Sequence, residues 1–149
     1  VVDIAPKAYE PAHEFIFEAL LAVELGQIAD RREADAALKE KIDDHSIRQF
    51  LLKNLSRNKG EGYRWKMNLQ ALHEHYRDIL GAVKGDHPFE RPALFIRGER
   101  SPYIQDEDRD AIRRLFPNAV IKTVRDAGHW IHAEQPEVML RLITDFLEP

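Results

Sequence analysis

The segment Asp126-Ala127-Gly128-His129-Trp130-Ile131-His132 holds the residue best suited to chemistry in this chain. The unperturbed pKa of a histidine, about 6.5, lets it take and return a proton near neutral pH. His129 stands on a Gly-His turn between a final strand and a C-terminal helix, a place from which a general base can be presented. The alternative is a turn histidine making ordinary hydrogen bonds. A base also needs a group to deprotonate, and no Gly-x-Ser-x-Gly elbow, which would offer a serine, occurs in these residues.

Metal chemistry is not expected. His73-Glu74-His75 places two imidazoles two residues apart, which on a helix point in different directions, whereas zinc ligands want neighbours at i,i+4. His129 and His132 are three apart, with no evident third ligand. There is no glycine-rich phosphate loop, and no cofactor is expected. Arg31-Arg32 and Arg113-Arg114 read as solvated faces.

Composition agrees with an ordinary soluble globular chain. Its 149 residues are enough for one core, and 44% hydrophobic with 32% charged residues excludes a disordered segment. The formal charge of −4, spread over both signs, disfavours nucleic acid as a partner. No apolar run approaches the roughly 20 residues of a membrane helix, so no membrane partner is expected. The absence of cysteine rules out disulfides and thiolate metal sites and fits a cytoplasmic location.

The elements that must position His129 fall into two styles. Residues 1–5 resemble the end of a buried strand stopped by Pro6. Residues 11–25 predict a helix with Pro11 in its first turn, and residues 31–42 a second with Ala34, Ala37, Leu38 and Ile42 inward. Asp44 or Ser46 caps a third through Leu55, with a stripe of Ile47, Phe50, Leu51 and Leu55. A turn at 58–62, an extended segment at 63–67 and an Asn68-capped helix carrying Leu69, Leu72, Tyr76, Ile79 and Leu80 follow. After 85–88 the pattern changes. A continuous apolar run, 93–96, closed by Gly98 predicts a strand covered on both faces. A helix over 106–116, a strand over 119–124 and a Pro136-opened helix through Leu147 complete two parallel βα units, with Val138, Leu142, Ile143 and Phe146 inward. The expected division is 1–8, a helical block at 9–88, and 89–149. So few strands leave long unpaired edges, which argues that further strands come from elsewhere and that Val1 lies mid-protein.

Five motifs in one order carry a resemblance: Val2-Asp3-Ile4-Ala5-Pro6; Arg48 to Leu55; Trp65-Lys66-Met67-Asn68-Leu69; Phe95-Ile96-Arg97-Gly98-Glu99-Arg100-Ser101-Pro102-Tyr103-Ile104; and Ala127 to Glu134. Together they resemble the C-terminal half of the α/β-hydrolase superfamily, nearest to the small capped esterases of the YbfF and ABHD11-like type. The resemblance implies an α/β fold with the end of strand six at 1–8, a helical cap at 9–88, and strands seven and eight with their helices at 89–149. It places the first five strands, the nucleophile elbow and the oxyanion-hole loop upstream of this chain.

It also implies roles. His129 would be the general base of a Ser-His-Asp mechanism. Many members carry the acid in a Gly-x-x-Asp arrangement after strand seven, where Ser101 stands here. This esterase group uses an aspartate just after strand six, which matches Asp3. Asp3 is thus the expected acid, Ser101 an accessory hydrogen-bonding residue, and Glu99 the reserve acid. Trp130, Tyr103 and Trp65 are candidates for contacting substrate, although aromatics of this size pack as core more often. The expected function is hydrolysis of a small-molecule carboxylic ester, by this chain together with the N-terminal half of the same enzyme, covalently joined or separate. Alone, the chain is expected to be inactive. Haloalkane dehalogenase, C–C hydrolase or haloperoxidase chemistry on the same fold, or a non-catalytic binding module, are the alternatives.

Overall fold

A computed structural model of the chain describes residues 1–58, 60 and 62–148. The chain divides into two compact units: Tyr9–Gly81, and Val1–Ala8 together with Ala82–Pro149.

The first unit contains α1 (Glu14–Ala22), α2 (Arg31–Lys39), α3 (His45–Leu52), an antiparallel hairpin of β1 (Leu55–Asn58) and β2 (Gly62–Trp65), then α4 (Leu69–Glu74) and α5 (Tyr76–Ile79). Ala19, Leu20, Ala34, Leu38, Ile42, Leu51 and Leu52 form its core. Aspartates start α2 and α3: Asp30 accepts from the amides of Arg32 and Glu33, and Asp44, not Ser46, from those of Ser46 and Ile47.

Several expectations need correction. The first helix begins at Glu14 rather than around Pro11, because the amides of Ala12 and His13 donate to the Tyr76 hydroxyl at 3.1 and 3.0 Å instead of entering a helical ladder. The third helix stops at Leu52, and Leu55 opens a strand opposite Trp65. Phe50 lies outward on α3; Arg48 turns in instead, donating to Asp35 and to the carbonyls of Ile42 and Asp43. Such a buried guanidinium is tolerated because its donors are satisfied. The Asn68-capped helix breaks at His75 into α4 and α5. Of the expected turn at 58–62, Lys59 and Glu61 lie outside the described residues.

The second unit contains β3 (Ala93–Gly98), a 3₁₀ turn (Asp106–Asp108), α6 (Arg109–Leu115), β4 (Ala119–Val124), α7 (Ile131–Glu134) and α8 (Pro136–Leu147). Strands β3 and β4 pair in parallel, from Ala93 opposite Ala119 to Gly98 opposite Val124. On the opposite edge of β3, Ile96 exchanges hydrogen bonds with Val1 and Asp3, a parallel bridge at Val2. One sheet face carries Leu94, Ile96 and Val124 under Ile131 and the α8 residues Met139, Leu142, Ile143 and Phe146. The other carries Phe95, Ile104 and Ile112 with Ala5 and Phe116. Covering on both faces explains the unbroken apolar run of β3.

Here too two expectations shift. Residues 1–5 are not a fully buried strand end: Asp3 and Ala5 face in, while Val1, Val2 and Ile4 are exposed. On α8, Met139 packs inward and Val138 is exposed, a change of one residue in helical phase.

Candidate active site

The geometry is built on the C-terminal end of β3. The Asp3 amide donates to the Ile96 carbonyl at 2.7 Å, which fixes Asp3 beside the strand. Its backbone is left-handed, with φ of 46°, a conformation that aspartate tolerates better than most residues. The carboxylate is fully buried and takes three donors. Oδ1 accepts from the Gly98 amide at 3.0 Å. Oδ2 accepts from the Ser101 hydroxyl and lies 2.9 Å from His129 Nδ1. A buried carboxylate persists only when satisfied in this way, and among the described residues no buried side-chain polar atom lacks a partner.

His129 reaches Asp3 from the loop between β4 and α7. That loop passes so close to β3 that a Cβ on Gly98 would lie 2.2 Å from the Gly128 carbonyl oxygen, so only glycine fits. With Asp3 ionised, Nδ1 donates to it, and the lone pair of the neutral ring is left on Nε2. The His129 side chain keeps 44% of its surface exposed. The Tyr103 ring stacks on the imidazole, with centroids 4.0 Å apart and planes 23° from parallel. Ser101 is itself held: its hydroxyl oxygen accepts from the Tyr103 amide at 3.3 Å, and its carbonyl from the Gln105 side chain at 2.6 Å.

Of the sequence-predicted residues, the structure brings His129, Asp3, Ser101 and Tyr103 together. Glu99 lies elsewhere, accepting from the Asp126 amide at 3.0 Å, so Asp3 and not Glu99 faces the imidazole. Trp130 opens α7, its carbonyl accepting from the amides of Ala133 and Glu134. Trp65 belongs to the other unit, where it packs, partly buried, against that unit's core. Among the described residues no group of three His, Asp or Glu side chains is arranged to hold a metal ion, and no helix is long and apolar enough to cross a membrane.

No family model matches the chain. The sn-1-specific diacylglycerol lipase ABHD11 of Danio rerio is 39% identical over 100% of this chain and 49% of its own. The esterase YbfF of Escherichia coli K12 is 37% identical over 98% of this chain and 56% of its own. A solved marine microorganism esterase matches with a TM-score of 0.93 at 37% identity, covering 98% of this chain and 59% of that one. The chain belongs to the α/β-hydrolase superfamily. It spans about half the length of the curated relatives it matches.

The parallel pair β3–β4 with its flanking helices, and the bridge from Val2 to Ile96, are consistent with a partial α/β-hydrolase fold. The loop before His129 has further supports in Glu134 and Arg100. Glu134 accepts from the Gly128 amide at 3.0 Å and from Arg100 at 3.2 Å, and Arg100 also donates to the Asp126 carbonyl at 2.6 Å. The Gly128 amide, then the Arg100 guanidinium, hold the Glu134 carboxyl below the usual carboxylate range.

Proposed function

We propose that the complete protein, in which this chain supplies the C-terminal part of the hydrolase core and Tyr9–Gly81 a cap, hydrolyses small-molecule carboxylic esters. The observation that carries this reading is the His129–Asp3 pair, a partly exposed imidazole with one nitrogen 2.9 Å from a buried carboxylate. The esterase and lipase names of the relatives point the same way.

The nucleophile is a serine outside these 149 residues. Its hydroxyl attacks the ester carbonyl while Nε2 of His129 takes the proton. Asp3 holds the ring in the tautomer that leaves Nε2 free to accept, and it stabilises the imidazolium that forms. The tetrahedral intermediate then expels the alcohol, which leaves with the proton from Nε2 and an acyl-serine behind. Water, deprotonated by the same nitrogen, repeats the sequence and releases the acid. Ser101 fixes the second lone pair of Asp3 Oδ2, and Tyr103, stacked on the imidazole, and Trp130, next to His129 in the chain, are the proposed substrate contacts. The partner of this chain is therefore the nucleophile-bearing half of the same enzyme, and no cofactor takes part. The cysteine-free sequence suits a cytoplasmic enzyme.

The test compares the 149-residue chain with the complete protein on a p-nitrophenyl ester. The chain alone is expected to release nitrophenol no faster than buffer, and the complete protein to turn over. Turnover by the isolated chain would place the nucleophile within it and overturn this division of labour.

A further inference from the structure

We propose that Glu134 and Arg100 are positioning residues for His129, a clasp that sets the backbone from which the imidazole reaches Asp3. The inference rests on reading His129 as the general base, and it concerns residues that touch neither Asp3 nor the reacting atoms.

Three consecutive residues before His129 are each held by the clasp. Arg100 donates through its guanidinium to the Asp126 carbonyl at 2.6 Å and through its amide to the Ala127 carbonyl at 2.9 Å. Glu134 takes the Gly128 amide at 3.0 Å and meets the same Arg100 nitrogen at 3.2 Å. Asp126 is left-handed, with φ of 54°, a conformation that needs surrounding bonds to persist. The Glu134 amide bonds the Trp130 carbonyl at 2.9 Å, so the clasp ties together the chain on both sides of His129.

The two ends of the His129–Asp3 hydrogen bond are therefore anchored differently. Asp3 is fixed to β3 by its own amide and by Gly98. His129 hangs from a loop whose course is set by Glu134 and Arg100. If that loop drifts, Nδ1 moves and Asp3 does not. Misplacement of a catalytic group by about 1 Å can cost on the order of 100-fold in rate. The Arg100–Glu134 pair is largely solvent-facing, with side chains 62% and 35% exposed. Such pairs contribute little to global stability. A purely structural role would show in the melting temperature, a positioning role in kcat.

The test uses Glu134→Ala, Glu134→Gln and Arg100→Met in the complete protein, with two readouts. One is kcat and KM on a p-nitrophenyl ester. The other is the downfield proton resonance of His129 Nδ1–H, whose position reports the bond to Asp3. Glu134→Ala is expected to lower kcat roughly 10- to 100-fold, with KM within about threefold of wild type, and to shift or broaden the resonance. Glu134→Gln keeps an oxygen for the Gly128 amide and is expected to retain most of both. Arg100→Met should fall between them. Wild-type kcat with an unmoved resonance in Glu134→Ala would overturn the proposal. So would a Gln variant as impaired as the Ala variant, since the hydrogen bond would then not be the cause. Failure of the underlying reading looks different: His129→Asn would retain turnover, whatever the clasp variants do.

Discussion

Replacing His129 by alanine in the complete protein is expected to lower kcat on an ester by about 10⁴- to 10⁶-fold. The magnitude follows from what is lost. Without an imidazole, the serine proton has no acceptor at the moment of attack, and the departing alkoxide has no acid. A residual rate remains, because oxyanion stabilisation and substrate positioning do not depend on the base. KM should change far less than kcat, since proton transfer belongs to the transition state. His129 is partly exposed and on a loop, so the fold should survive the change, and the melting temperature checks this. An alanine variant within tenfold of wild type would remove His129 from the mechanism.

Asp3→Asn is the second large effect, expected at about 10⁴-fold in kcat. Asparagine tolerates the left-handed backbone, so the substitution changes chemistry rather than chain path. Three donors converge on the carboxylate: the Gly98 amide, the Ser101 hydroxyl and His129 Nδ1. An asparagine has one acceptor oxygen and turns an NH₂ toward at least one of them. Facing the imidazole, that NH₂ favours the tautomer with the proton on Nε2, which cannot accept from serine. Facing Gly98, it leaves that buried amide donor unmet, at a cost of about 1–3 kcal/mol in stability. Rate and melting temperature therefore separate the two orientations. If Glu99→Gln carries the loss instead, the acid has been misassigned.

Much of this arrangement was legible from residue order, and the remainder was not for identifiable reasons. The run at 93–96 and its closing Gly98 announced β3 because a strand covered on both faces has no polar positions. Pro136 marked the start of α8 because it needs no amide partner there. The hairpin of the first unit was hidden: Leu55 sat in phase with a helical stripe, and four-residue strands carry little periodicity. Phe50 misled for a related reason, since hydrophobicity alone does not tell an exposed ring from a buried one, and Arg48 took the inward place. At the site, His129 stood out from its turn. Its pairing with Asp3 spans 126 positions, and no local pattern encodes such a contact; only the resemblance pointed to it. Gly98 and Glu134 were invisible as supports because what they support, the backbone of Gly128, is set by tertiary packing.

The proposed chemistry requires a serine elsewhere in the protein that His129 activates. The direct measurement is intact-mass spectrometry of the complete protein and its His129→Ala variant after exposure to a fluorophosphonate, with the adduct mapped by peptide sequencing. A single adduct is expected on a serine outside these 149 residues, with its loss or marked slowing in the variant. An adduct on Ser46, Ser56 or Ser101, or labelling of the variant at the wild-type rate, would contradict it.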